Sequence, residues 1–285
     1  MLTTGQIFNK PQFLRAGDRL LPLDKPLIMG IINTTPDSFY DGGMYLSPDL
    51  IRLKAGSMLE DGADILDVGA CSTRPGSIEP DEATEKSRLD GALKAIRREY
   101  PDVVLSVDTY RSAIAEWAIK EYGVQIINDV SGGSQDSEML ATVGRSGVSY
   151  VLMHMLGLPR TMQDNPMYQE VVHDISLFFA KRIKQLADAG AADIIIDPGF
   201  GFGKTIGQNY DLLSRMADFK VFGRPILIGL SRKSMIYKVL KGSPESSLNG
   251  TTALNAVALL KGADILRVHD VKQAFECIQL IDKLN

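Results

Sequence analysis

The chain has 285 residues, 45% of them hydrophobic and 23% charged, an ordinary composition for a globular protein with a sizeable core. Its net charge of −4 and the lack of long Lys or Arg runs give no reason to expect nucleic acid or an anionic membrane as a partner. Cys71 and Cys277 form no CxxC pair and His154, His173 and His269 show no HxxxH spacing, which argues against a disulfide framework or a zinc site and for a reducing, cytoplasmic setting.

From the N-terminus, "MLTTGQIFNKPQFLRAGDRL" lacks the apolar h-region of a secretory signal. No later apolar run approaches the roughly 18 residues that a membrane span needs. Residues 1–25 read as an extension, a hairpin covering the floor of the domain that occupies 26–285. Eight apolar runs then follow, at 27–32, 64–68, 103–107, 124–128, 148–153, 193–197, 225–230 and 264–268. They are continuous rather than alternating, as suits parallel strands buried on both faces.

Helical patterns lie between the runs. Ser47-Pro48 reads as an N-cap followed by proline at the first helical position. The stretch 112–121 is amphipathic around Ile114, Trp117 and Ala118, and Phe179, Ile183, Leu186 and Ala187 share a helical stripe. Gly62, Gly123, Gly147, Gly190 and Gly262 each sit where a helix would end in a left-handed cap, just before a strand. Eight such alternations predict an α/β fold, a (β/α)8 TIM barrel with an N-terminal extension; the same alternation also admits a doubly wound open sheet.

In such a barrel, chemistry gathers at the C-terminal ends of the strands. The residues there are Asn33; Gly69 followed by Ser72, Thr73 and Arg74; Asp108; Asn128; His154; Asp197; Ser231, Arg232 and Lys233; and Arg267 with His269. Asp108, Asn128 and Asp197 match a flat, donor-rich heterocycle, although two carboxylates could also be an acid/base pair or a metal site. Thr73, Arg74, Lys233, Arg267 and His269 match a phosphate or diphosphate. Singly, each has a plainer reading: Asp108 as a helix N-cap, Asp197 as a turn residue, Lys233 as a solvated charge, His154 as a packing residue. "PGFGFGKT" (198–205) fails the Walker pattern at Pro198 and the dinucleotide pattern at Lys204, so its glycines are read as letting a loop approach a ligand.

In order, "MGIINTTPDSFYDGG", "STRPGS", "SVDT", "IINDVSGG", "MHM", "IIIDPGFGFGK", "LIGLSRKSM" and "LRVHDV" resemble the motifs of the dihydropteroate synthase family across about residues 26–272. The resemblance implies a cytoplasmic homodimer of folate biosynthesis and a sulfonamide target. It implies a transferase that joins 6-hydroxymethyl-7,8-dihydropterin diphosphate to p-aminobenzoate with Mg2+ and releases diphosphate. By motif, Asn33 would meet the metal and, with Thr73, Arg74, Arg267 and His269, the diphosphate. Asp108, Asn128, Met153, Asp197 and Lys233 would hold the pterin. Thr73, Arg74, Pro75, Phe202, Ser231 and Lys233 would form the p-aminobenzoate pocket, and Asp108, Asp197, Lys233 and Arg267 would carry catalysis. Cys71 stands where the family often has Glu, and Arg111 where it often has Lys.

The implied reaction has a dissociative, cation-like transition state, with loops 34–46 and 72–80 closing over it after the pterin has bound. Three competing readings are a pterin-dependent methyltransferase module, a Schiff-base aldolase using Lys233, and an inactive pterin-binding barrel.

Overall fold

The computed structural model describes residues 11–35, 47–71, 79–157 and 166–284. A hairpin, β1 (Phe13–Ala16) and β2 (Arg19–Pro22), comes first. Strands and helices then alternate: β3 (Leu27–Asn33), α1 (Pro48–Glu60), β4 (Ile65–Gly69), α2 (Glu82–Glu99), β5 (Val104–Asp108), α3 (Ser112–Tyr122), β6 (Ile126–Asp129) and α4 (Met139–Ser146). The second half continues with β7 (Ser149–Met153), α5 (Val171–Asp188), β8 (Ile194–Asp197), α6 (Ile206–Ser214), β9 (Leu227–Ile228), α7 (Ser234–Tyr237), α8 (Leu248–Leu260), β10 (Ile265–Val268) and α9 (Val271–Ile281).

Strands β3 to β10 are all parallel, in the order β8-β7-β6-β5-β4-β3-β10-β9. A parallel bridge between Ile196 and Ile226, with Ile196 N donating to Pro225 O at 2.9 Å, joins β8 to β9. This contact selects the barrel over the open sheet. The run at 225–230 contracts to two ladder residues because Pro225 has no N–H to give.

Side chains alternate along each strand, which splits the core in two. Ile28, Ile32, Leu66, Val68, Leu105, Val107, Leu152, Ile196 and Leu266 pack outward under the helices. Met29, Ile65, Val104, Ile126, Val151, Ile195, Leu227 and Ile265 form a separate cluster with Leu14, Ala16 and Leu23, so the hairpin plugs the N-terminal end of the barrel.

The repeated Gly-Ala-Asp sequence has a mechanical basis. Gly62 and Gly262 take φ of 100° and 96°, reversing the chain at the ends of α1 and α8. Gly123, Gly147 and Gly190 also have positive φ. Ala63 N then donates to Met58 O, and Ala263 N to Ala258 O, satisfying terminal helix carbonyls. The aspartate that follows caps the neighbouring strand: Asp64 Oδ2 accepts from Ile28 N at 2.7 Å, and Asp264 Oδ2 from Ile226 N at 2.9 Å.

Ser47 caps α1 by accepting from Leu50 N. The α5 stripe differs from the sequence expectation. Val172, Ile175, Phe179 and Leu186 are buried, whereas Ala187 is exposed, since a position eight residues on from Phe179 has drifted about 80° around the helix. Among the described residues, no helix is long and apolar enough to cross a membrane.

The strand-capping role predicts that Asp64→Ala lowers stability by about 1–3 kcal/mol, the cost of leaving the Ile28 N–H unpaired. Asp64→Asn should recover most of that loss, because its amide oxygen can still accept. Urea denaturation of the two variants checks this; equal stability would refute the cap.

Candidate active site

Continuing two residues along each strand from the apolar floor cluster, on the same face, the barrel interior becomes polar. Met29 gives way to Ile31, Ile65 to Asp67, Val104 to Ser106, Ile126 to Asn128, Val151 to Met153, Ile195 to Asp197, Leu227 to Gly229 and Ile265 to Arg267. One further step reaches Asn33, Gly69, Asp108, Ser231 and His269 at the mouth. Asp67, Asn128, Met153 and Asp197 are buried, whereas Asn33, Asp108, Lys233 and Arg267 are partly exposed.

The centre of this layer is a hydrogen-bonded network. Asp67, fully buried, accepts from Ser106 Oγ at 2.6 Å, Asn128 Nδ2 at 3.0 Å and Arg267 Nε at 2.6 Å. The same guanidinium reaches Asp108 Oδ2 at 2.7 Å. One cation thus serves two carboxylates. Burial pushes Asp108 up to about 7; Arg267 opposes this, while Asp67, Glu85 and Asp129 add to it. Arg267 is itself held above its usual value by Asp67 and Asp108, against burial. Because Asn128 spends its amide N–H on Asp67, its oxygen remains to accept from a ligand.

Across the mouth, burial raises the Asp197 carboxyl, opposed by Lys233 and by the N–H of Gly199, which donates to Asp197 Oδ1 at 2.8 Å. Asp197 is therefore both turn residue and pocket residue. Lys233 is drawn down to about 8 by burial, against the pull of Asp197. Its ammonium donates to Phe200 O and lies 4.6 Å from the centroid of the Phe202 ring. Gly229 and Gly201 leave room for this chain: a Cβ at either would lie 3.7 Å from Lys233 Nζ or 3.2 Å from Lys233 Cδ.

Ser231 Oγ lies 3.0 Å from His269 Nδ1 and accepts from His269 N at 3.3 Å. Burial, with Arg267 close by, draws His269 down to about 3. His269 is thus placed as a hydrogen-bonding group beside Ser231, and Arg267 is paired with Asp67 and Asp108. Thr73, Arg74 and Pro75 lie outside the described residues, as do residues 36–46 and 72–78 of the two expected closing loops.

Asn33 stands beside Gly69, whose bare backbone forms a cradle. A Cβ there would lie 3.6 Å from Asn33 Oδ1 and 3.7 Å from Asp108 Oδ2. Asn33 Oδ1 is the kind of oxygen donor a hard cation takes, whereas Asp108 Oδ2 already accepts from Arg267. Among the described residues, no group of three His, Cys, Asp or Glu side chains is gathered as a self-sufficient metal site.

Several rim residues prove structural. Asp108 is not the cap of α3, which begins after Arg111. Arg232, at φ 58°, pairs with Asp270 at 2.6 Å. His154 is a buried packing residue, edge-on to Phe178 with ring centroids 5.0 Å apart, and His173 is exposed. Arg111 pairs with the buried Glu85 and with Glu79, and its Nη1 lies 3.9 Å from Cys71 Sγ.

Asp67 and Ser106 do not belong to the set of strand-end residues, since each lies two residues before the end of its strand. The signal was present: a carboxylate inside an otherwise apolar strand, two residues before the strand end.

Removing Arg267 tests the charge balance. Arg267→Met should cost about 3–5 kcal/mol near neutral pH, because Asp67 and Asp108 are left buried without a counter-charge. The folded pKa of Asp108, already raised by burial, would then rise further above its unfolded value, so the folded state would bind more protons, and stability should recover as pH falls from about 8 to about 5.5. Urea denaturation at both pH values checks the sign; a loss independent of pH would contradict it.

Comparisons with known proteins agree with this architecture. A family described as pterin binding enzyme matches residues 29–269. A relative from Escherichia coli, named dihydropteroate synthase, is 40% identical over 264 residues, covering 92% of this chain and 93% of its own. The structure of Yersinia pestis dihydropteroate synthase in a sulfonamide drug complex matches with a TM-score of 0.91 at 38% identity, covering 95% of this chain and 98% of that one. Thermus thermophilus dihydropteroate synthase in complex with 4-aminobenzoate matches with a TM-score of 0.84 at 37% identity, covering 96% and 99%.

Proposed function

The chain belongs to the pterin binding enzyme family, and we propose that it is an enzyme catalysing the dihydropteroate synthase reaction. In that reaction 6-hydroxymethyl-7,8-dihydropterin diphosphate and p-aminobenzoate give 7,8-dihydropteroate and diphosphate. The observation that carries this reading is the polar layer itself, where Asp67, Asn128, Arg267, Asp108, Asp197 and Lys233 meet above an apolar floor. It presents acceptors to the donor-rich edge of a flat bicycle. Asp108 and Asp197 accept from the ring's N–H groups, and Asn128 accepts through the oxygen that its bond to Asp67 leaves available. Lys233 donates to the ring's carbonyl side, and Met153 packs against its face. Phe202 and Ser231, with Thr73, Arg74 and Pro75, take the p-aminobenzoate.

The exocyclic C–O bond breaks, and its electron pair leaves with diphosphate. Charge is then deficient at the methylene and is shared by the ring. Asp108 and Asp197 stabilise that charge from fixed positions, which requires no reorganisation at the moment of reaction. The aniline nitrogen supplies the pair for the new C–N bond and afterwards releases its proton to solvent. Thr73, Arg74 and neutral His269 serve the leaving group as donors; Arg267 also does so to the extent that ligand binding loosens its hold on Asp108. Asn33 would hold Mg2+ through its amide oxygen, and the ion would offset the negative charge of the diphosphate. The reading extends to a cytoplasmic homodimer and to loops 34–46 and 72–80 closing over the bound pterin. It rests there on the resemblance and on the family.

The test is turnover of the two substrates with Mg2+, read by diphosphate release and by product mass; no diphosphate release above background would overturn the reading. Asp197→Asn should weaken binding of the pterin diphosphate by about 1.5–3 kcal/mol, the worth of a hydrogen bond to a charged group. Calorimetry measures it. Lys233 is charged below about 8 and neutral above. Pterin binding should therefore fall as pH rises through that value, and the fall should be absent in Lys233→Met, whose binding is weaker throughout.

A further inference from the structure

We propose that Lys204 is a positioning residue for the arylamine: its buried side-chain amine holds the loop 199–203 so that the Phe202 ring stands where p-aminobenzoate must bind. The proposal rests on the reading of function above.

Lys204 is 2% exposed; burial draws it down to about 7, against the pull of Asp197. Its Nζ lies 2.9 Å from Gly199 O, 3.0 Å from Phe202 O, 3.4 Å from His154 O and 3.1 Å from His154 Nδ1. Three carbonyls and an imidazole nitrogen surround one amine. The amine brings two N–H donors when neutral and three when charged, and in either form it can bond both Gly199 O and Phe202 O. Burying such a group is costly unless its hydrogen bonds are made, so its place here calls for an explanation.

The loop supplies one. Gly199, Gly201 and Gly203 all have positive φ, at 72°, 80° and 60°. A Cβ at Gly199 would come within 1.9 Å of His154 O, and one at Gly203 within 2.4 Å of Leu156 O. The loop therefore has few side chains of its own with which to fix its shape, and it must lie flat against residues 154–156.

Its two aromatic residues are held differently. The Phe200 side chain is fully buried in the core, which anchors the carbonyl that receives Lys233. Gly201 N is tied to Asn209 Oδ1 at 2.7 Å. The Phe202 ring is only partly buried and faces Lys233. Its backbone is fixed by two bonds: Phe202 N donates to Gly199 O at 3.1 Å, and Phe202 O accepts from Lys204. Gly199 O is also held by Lys204. Both ends of the turn that aims the ring thus converge on one amine. Tyr168 adds a weaker tie by donating to Gly203 O at 2.9 Å.

The test separates aiming the ring from merely holding the fold. Lys204→Met keeps the length of the side chain and removes its donors. With wild-type enzyme turning over in the same assay, KM for p-aminobenzoate should rise by about tenfold or more, as expected when a binding wall shifts by a fraction of an ångström. The dissociation constant of the pterin diphosphate should stay within about twofold, because Phe200 and Asn209 are untouched. Tyr168→Phe should raise KM for p-aminobenzoate in the same direction by a smaller factor, and it decides the matter if Lys204→Met does not fold. An active wild type with an unmoved KM in the folded variant, or a loss shared equally by both substrates, overturns this inference alone. A wild type that releases no diphosphate overturns the reading of function and this inference with it.

Discussion

The site depends on one guanidinium placed between two carboxylates. Arg267 bonds Asp67 and Asp108 together, and through Asp67 it is linked to Ser106 and Asn128. A buried ion pair gains little stability by itself, since desolvation offsets most of the Coulomb attraction. What this group provides is orientation. Four strands contribute its members, β5 two and β4, β6 and β10 one each, so the network can form only when these strands pair in register.

The charge count of the pocket follows from that arrangement. Asp67, Asp108 and Asp197 face Arg267 and Lys233, three carboxylates against two cations. The imbalance is partly relieved by the raised affinity of Asp108 for a proton. A pocket slightly rich in negative charge suits a ring that becomes positive as its leaving group departs. Lys204 acts on this balance only through Asp197, because its amine is turned into the carbonyls of its own loop and burial draws it down to about 7. Two lysines 29 residues apart in sequence therefore divide their work: Lys233 faces the pocket, and Lys204 supports the wall beside it.

Much of the architecture was legible before any coordinates. The glycine caps and the Ser47 cap are local chemistry, and local chemistry survives folding. The residues that end each apolar run were also legible, since a barrel sends them to one mouth. Less visible was the layer beneath. Asp67 and Ser106 sit within apolar runs, and only the two-residue period of the strand shows that they share a face with Ile65 and Val104. Ala187 was misplaced for the complementary reason, a helical period extrapolated one step too far.

The sequence by itself determined the order of strands and helices, the cap positions, and the kinds of chemical group that reach the barrel mouth, because each follows from residues close together in the chain. Only the tertiary structure decided how those groups are engaged. That Arg267 pairs with Asp67, 200 residues away, that His269 Nδ1 lies against Ser231, and that Lys204 faces inward to His154 follow from long-range packing. The physical reason is that charge state and hydrogen-bond partnership depend on burial and on neighbours from other strands, which no local pattern encodes.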